Sequence, residues 1–292
     1  MKDKITIFGG SGFLGSHVAD ILTERGYEVV IFDKKLSQWL QKNQEMILGD
    51  ICKLDEVEKA IKGSKFVYNF AGLSDLNEGA NKPLETINLN ILGNANILES
   101  SRRHKIQRFI YSSSIYVFSD LGSFYRCSKQ SAEQYILEYK KKYGLDFTIL
   151  RYGSLFGPRS DITNGIFRMI KKSIDRNKVI FTSHVDTSRE YIHVSDAAKA
   201  SADIIEKKEY TNKSLTITGS NLLKSIFMAK KIAELLNLDF EIDSNAETDE
   251  YHSSHYIESP MTYKPPVVEK FPIINSKSLE LNLIDLIKII KN

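Results

Sequence analysis

The sequence predicts an α/β protein: a doubly wound parallel sheet carrying a smaller C-terminal lobe. Three observations carry this. Short β-branched or aromatic runs alternate with longer amphipathic segments over the first two-thirds of the chain. The runs are apolar without strict alternation, as expected of strands covered on both faces. A glycine-rich turn, GGSGFLG, joins the first run to the first amphipathic segment.

In order, KITIF forms the first strand and residues 13 to 25 the first helix. EVVIF is the second strand, and a loop leads from it to MILGD. KFVYNF follows, then a long helical segment from Pro83 to Arg103, the strand RFIYSS, a helix over 124 to 143, and the strand DFTILR. After about residue 152 the alternation loosens into loops around GPRSDITNG, a helix over 165 to 177, a strand VIF and a helix beginning near Asp196. The expected division is therefore 1 to 152 and, mainly as a second lobe, 153 to 292, with segments near 182 to 205 returning to the first unit. Leu36, Trp39 and Leu40 are expected to pack a short helix. NAETDEYHSSHYIESPMTYKPP is polar and proline-punctuated, and reads as loop.

Composition narrows the function classes. With 292 residues, 42% hydrophobic and 26% charged, the chain can bury a sizeable core and is not disordered. Its net charge of +3 comes from scattered lysines, as in EYKKKYG and RMIKKS, so nucleic acid is not an expected partner. The KKK run falls near a helix end, where the dipole favours it. No apolar run approaches the ~18 residues of a membrane span. Cys52 and Cys127 stand far apart without CxxC spacing, which predicts a reducing, cytoplasmic setting. His252 and His255 lie in the polar loop without further ligands, so no metal site is expected.

Gly9, Gly12 and Gly15 follow a strand and open a helix. Glycines suit this place because the turn is tight and the backbone must approach a pyrophosphate closely. The helix N-terminus supplies N–H donors and partial positive charge for phosphates. Asp33, at the end of EVVIF, can accept both adenosine ribose hydroxyls and repels a 2′-phosphate, which favours NAD over NADP. Lys34 and Lys35 follow directly and work against that preference.

Tyr125 and Lys129 are four residues apart, on one face of a helix. An ammonium beside a phenol stabilises the phenolate and is expected to lower the phenol pKa toward the working range of a base. Ser114, at the end of RFIYSSS, can hold the same substrate hydroxyl. Alone, YxxxK fits an ordinary solvated pair. With the glycine turn and the strand-end serines it reads as a site.

Together these residues resemble the extended short-chain dehydrogenase/reductase family, in its nucleotide-sugar epimerase and dehydratase branch. The resemblance covers roughly residues 4 to 205. It rests on GGSGFLG, Asp33, LGDI with Asp50, YNFAG at 68 to 72, NLNILGN from Asn88, RFIYSSS, Tyr125 with Lys129, LRYGSLFGPR and SREYIHVSDAA. It implies a Rossmann-type sheet that holds NAD and a lobe that binds a nucleotide-diphosphate sugar. Ser114, Tyr125 and Lys129 would be catalytic. Phe13, Leu14, Lys34, Asp50, Ile51, Phe70, Ala71, Gly72 and Tyr152 would join the glycines and Asp33 around the cofactor. Ser74, Ser154, Arg159 and Arg189 would face the substrate, Arg189 through a guanidinium fork suited to a diphosphate. A homodimer would form through the helices over 83 to 103 and 124 to 143.

The chain also departs from that family's pattern. The connection from Ser114 to Tyr125 is shorter than usual, Ser154 stands where asparagine is common, and Phe118-Ser119 replaces Tyr-Gly. Ile115 and Tyr116 occupy the Asp-Glu positions of dehydratases and cannot act as carboxylic acids there, so 4,6-dehydration is disfavoured. Cys127 lies roughly 200° around the helix from Tyr125, which disfavours 3,5-epimerisation through a cysteine. His193 is expected to pack at a strand end. The leading expectation is a nucleotide-sugar 4-epimerase. A 4-ketoreductase using the same residues, and a non-catalytic dinucleotide-binding sensor, remain as alternatives.

Overall fold

A computed structural model of the protein describes residues 3–119, 121–243, 269–270 and 277–291. The first strands and helices are β1 (Lys4–Phe8), α1 (Phe13–Glu24), β2 (Glu28–Asp33), β3 (Gln44–Leu48), α2 (Leu54–Ile61) and β4 (Phe66–Asn69). Next come α3 (Leu76–Asn81), α4 (Pro83–Thr86), a π-helical stretch Ile87–Gly93, and α5 (Asn94–Arg103). Then β5 (Arg108–Ser114), a 3₁₀ turn Ile115–Phe118, α6 (Ser123–Tyr143) and β6 (Phe147–Tyr152) complete the first part.

The remaining elements are β7 (Ser154–Phe156), α7 (Gly165–Arg176), β8 (Val179–Phe181), β9 (Ser188–His193), α8 (Val194–Asp203) and β10 (Lys213–Ile217). They end with β11 (Leu222–Lys224), α9 (Ser225–Leu236), β12 (Phe240–Ile242), β13 (Glu269–Lys270) and α10 (Leu279–Lys291). The main sheet has the order β13-β10-β6-β5-β4-β1-β2-β3, with every pairing parallel.

Two apolar layers cover the sheet. On one side α1 and α8 pack around Ile5, Val18, Leu22, Ile204 and Leu215. On the other, α2, α5 and α6 bury Val57, Ile61, Leu98 and Ile136 against Phe8, Val67 and Phe109. The strand order reverses between β1 and β4, which opens a crevice outside the carboxyl ends of those strands. The turns after β1, β4 and β5 all empty into that end, which brings Gly9, Ala71 and Ser114 to one side.

A separate core of Phe156, Ile170, Phe181, Met228, Ile232 and Leu283 holds α7, α9 and α10 together. Above it lie a three-stranded sheet, β11-β9-β7, and the parallel pair β12-β8. Although β10 falls late in the chain, it returns to the main sheet beside β6, with Leu215 opposite Leu150.

The expected short helix around Trp39 is absent. Residues 34–43 run as bends and turns, Leu36 and Leu40 are exposed, and the Trp39 ring lies under the Arg159 guanidinium at 4.8 Å. The ring is recruited by a cation and not by an apolar helix face. The polar run from Asn245 to Pro266, with His252 and His255, lies outside the described residues. Among the described residues, no helix is long and apolar enough to cross a membrane and no group of three or more metal-ligating side chains forms. Cys52 and Cys127 are both free.

Candidate active site

The cofactor turn is dictated by close backbone approach. Gly9 adopts φ +76°, and a Cβ there would sit 2.5 Å from the Ala71 nitrogen. At Gly15 a Cβ would come within 2.3 Å of the Gly9 carbonyl oxygen. No side chain fits at either place, so the turn lies flat between the ends of β1 and β4. Gly12 closes it by donating its N–H to Gly9 O at 3.1 Å. Leu14 is buried behind it and Phe13 is half-buried.

Asp33 ends β2 beside this turn. Its Oδ2 accepts the Ser11 N–H at 3.1 Å and its Oδ1 the Lys35 N–H at 3.2 Å, so the carboxylate has a fixed direction. Lys34 is drawn aside to Asp50, Nζ to Oδ2 at 3.2 Å. Burial raises the Asp50 pKa, but the Cys52 N–H and Lys34 outweigh that and hold it below the ordinary carboxylate value. The lysine that counted against NAD is thus engaged by a carboxylate. Ile51 is buried, and Asn96 donates to its carbonyl at 2.9 Å. The glycine cradle, the oriented Asp33 and the open helix N-terminus together fit a dinucleotide without a 2′-phosphate.

Past β4, Phe70 stacks on Tyr68, Ala71 N–H reaches Asn69 Oδ1 at 3.0 Å, and Gly72 runs at φ +146°. Asn90, in the π-helical stretch, holds the adjoining loop in place. Its Oδ1 accepts from Leu73 N at 2.7 Å and its Nδ2 donates to Leu73 O at 3.0 Å and to Ser128 Oγ at 2.9 Å. This buried amide ties the cofactor loop to the helix that carries Tyr125. π-Helical insertions commonly mark such sites.

At the end of β5, Ser114 is buried and its Oγ accepts the Tyr116 N–H at 3.2 Å. Tyr125, on α6, is close enough to the same hydroxyl for Ser114 to favour its phenolate. Its ring meets Tyr116 edge-on, with centroids 6.0 Å apart and planes at 82°. Lys129, one turn further, is 6% exposed. Its Nζ donates to Ser112 O at 2.7 Å and stands 5.7 Å from the centre of the Tyr125 ring and 4.8 Å from that of Tyr111. The three expected catalytic residues therefore do meet.

Their electrostatics differ from expectation. Burial pushes the Tyr125 phenol up to about 12, with the Ser114 bond opposing and Tyr116 adding to the rise. Burial likewise holds Lys129 down to about 8, with Glu133 opposing. The predicted lowering of Tyr125 by Lys129 is overturned because desolvation of both groups dominates. Both groups are buried, and burial disfavours the charged form of each.

The short connection between Ser114 and Tyr125 is braced from α6. Gln130 Nε2 donates to Val117 O at 3.0 Å, and Arg126 Nη1 donates to Ser119 O at 3.2 Å. Ile115, Val117 and Phe118 are buried together, whereas Tyr116 is half-buried and turns to Tyr125. Cys127 is exposed on the far side of α6, as its spacing predicts. His193 ends β9 and caps α8 through Ser195; burial brings it down to about 4.

The substrate residues separate. Ser154 and Arg189 line one cleft of about 250 Å³ between α7, β8 and β9, together with Asn164, Phe181 and Tyr191. Among the described residues, no carboxylate lines that cleft. Arg159 does not join it: Nη2 bonds Asp20 Oδ2 at 2.6 Å while the guanidinium covers Trp39. Ser74 is exposed on the loop after β4. Tyr152, expected at the cofactor, is buried in the core with its hydroxyl 2.6 Å from Ser201 Oγ.

A dinucleotide cradle at the switch point, with Ser, Tyr and Lys at the adjoining strand end, defines an NAD-dependent enzyme of the extended short-chain dehydrogenase/reductase type. More narrowly, the chain belongs to the NAD dependent epimerase/dehydratase family, whose profile matches residues 5–217. NAD is its cofactor. A putative UDP-glucose 4-epimerase of Methanocaldococcus jannaschii is 30% identical over 217 residues, 67% of this chain and 71% of that protein. Two solved structures resemble the fold. A UDP-N-acetylglucosamine 4-epimerase from Methanobrevibacter ruminantium, in complex with UDP-N-acetylmuramic acid, superposes with TM-score 0.82 at 23% identity, covering 99% of this chain and 98% of that one. The UDP-glucose 4-epimerase of Thermus thermophilus, in complex with NAD, gives 0.81 at 20% identity, covering 99% of each.

Proposed function

We propose that the protein is an NAD-dependent nucleotide-sugar 4-epimerase acting on a UDP-linked hexose. The observation that carries this reading is that Ser114, Tyr125 and Lys129 are buried together at the end of β5, with Ser114 acting on the Tyr125 phenol. The names of the relatives support the choice of UDP and of C4.

Bound NAD would supply the hydride acceptor and donor. Tyr125 Oη takes the proton from the C4 hydroxyl and later returns it. Ser114 Oγ holds that oxygen in line. The Lys129 ammonium stabilises Tyr125 as the phenolate that accepts this proton, an effect large in a site this dry. The 4-keto sugar turns before the proton returns, so no cofactor is consumed. Ser154 and Arg189 face the nucleotide diphosphate from the second lobe, over 153 to 292, and the absence of carboxylates among the described residues of that cleft suits that charge. Ile115 is apolar and buried, which leaves no carboxylic acid there for 4,6-dehydration.

The same reading includes a homodimer. Leu92 lies in the π-helical stretch before α5, and Phe124 and Tyr135 lie on α6; all three present large exposed apolar surfaces.

The test is incubation with UDP-glucose, UDP-galactose and their N-acetylamino counterparts, with products read by NMR. Inversion at C4 without added cofactor is expected. A requirement for stoichiometric NADH would replace the epimerase by a ketoreductase. Tight NAD binding with no turnover of any sugar would leave only the sensor.

A further inference from the structure

Helix α6 carries a third ionisable group on the face of Tyr125 and Lys129. Glu133 stands one turn beyond Lys129 and is buried. Its Oε1 accepts Ser113 Oγ at 2.5 Å and Arg151 Nε at 2.9 Å, and its Oε2 accepts Arg151 Nη2 at 2.6 Å. Ser113 and Arg151 are register partners on β5 and β6, and Ser113 precedes Ser114. The Arg151 guanidinium also covers the Phe118 ring at 5.0 Å. One buried ion pair therefore fastens two strand ends and the short connection to the helix that bears the acid–base pair. So dry a pair is weak as a source of stability, because desolvation offsets its attraction.

Its neighbour gives it another use. Lys129 Nζ meets the Ser112 carbonyl and the Tyr111 ring from β5, and the Tyr125 ring from α6. Glu133 is the charge opposing its neutralisation by burial. Arg151, from β6, is paired with that carboxylate, and a cation so close offsets part of a carboxylate's field.

We infer that the Glu133–Arg151 pair is a positioning device that sets the charge of Lys129, with Glu133 keeping the amine protonated and Arg151 limiting how strongly. This rests on Tyr125 and Lys129 being the acid–base pair, and it is independent of which sugar binds. The two partners have opposite signs, so their removal has opposite effects. A merely structural pair would give losses in one direction.

The experiment follows the titration of isotope-labelled lysine side chains by NMR in the NAD-loaded protein, with the Lys129 resonance assigned through Lys129→Arg. The pH profile of turnover is recorded alongside. Turnover should fall as pH rises through the Lys129 midpoint, because the ammonium is lost there. Glu133→Gln should move that midpoint and that limb down by about one pH unit, and Arg151→Met should move both up by a similar amount. The double variant should return both near the wild-type position. Midpoints that stay put, or that move the same way in both single variants, overturn the inference. Should Arg151→Met fail to fold, Glu133→Gln against the double variant decides, and equal midpoints overturn it. Full turnover by Tyr125→Phe would remove the acid–base reading without altering the lysine titration, so the two failures are distinguishable.

Discussion

Replacing Tyr125 by phenylalanine removes one oxygen and leaves the packing in place. The ring keeps its edge-on contact with Tyr116 at 6.0 Å and stays 5.7 Å from the Lys129 amine. Only the interaction of the phenol with Ser114 is lost. A buried neutral bond contributes about 1 kcal/mol, which for a chain of this size lowers Tm by roughly 2–4 °C. Loss of the proton carrier is the larger effect. It should reduce kcat by at least ~10²-fold, equivalent to about 2.7 kcal/mol of barrier. Calorimetry and NMR conversion of UDP-galactose, run on the same preparation, separate the two. A variant with unchanged Tm and turnover within about tenfold of wild type would refute the assignment of Tyr125 as base. A fall in Tm of more than about 10 °C would instead mean that the hydroxyl holds the fold together.

Asp33→Asn should weaken NAD binding by about tenfold and narrow the preference over NADP, as read by titration calorimetry, because the carboxylate aimed by Ser11 and Lys35 loses its charge. An unchanged ratio would contradict the cofactor assignment. Gly15→Ala places a methyl 2.3 Å from Gly9 O, so the turn must open and NAD affinity should fall at least about tenfold; retained affinity would show the turn to be compliant. Arg189→Ala should raise KM for the sugar nucleotide with kcat within a few-fold, whereas an unchanged KM would remove it from the substrate. Tyr135→Glu puts a charge on the exposed apolar face of α6 and should shift sedimentation from dimer to monomer, while an unshifted wild-type-like dimer would place the interface elsewhere.

What could be read from the sequence was whatever obeys a short-range steric rule. Gly9, Gly12 and Gly15 are spaced by the demands of a turn, and Tyr125 and Lys129 by the pitch of a helix, so both were legible. Glu133 continues the same helical spacing and could have been flagged. Its partner Arg151 lies on a strand, and no local rule joins a helix to a strand end. Arg159 was legible as a cation, but its engagement with Asp20, far back in the chain, depends on how the loop after β7 folds over α1. Trp39 and its leucines read as an apolar helix face until the structure supplied a cation for the ring. The Tyr125 phenol was misjudged for a related reason. Its proximity to Lys129 is written in the spacing, whereas the burial that outweighs it arises from the 3₁₀ turn, β5 and α6 closing together. Likewise, β10 gives little sign in its sequence of returning to the main sheet beside β6.

The central claim is that hydride leaves C4 and comes back to C4 inside one closed site. The direct measurement uses a UDP-hexose deuterated at C4, epimerised in ordinary water in the presence of excess unlabelled NAD. The account predicts that the inverted product retains its deuterium at C4, with none appearing in solvent or in the free cofactor pool. Deuterium lost to solvent, or found in free NADH, would contradict it.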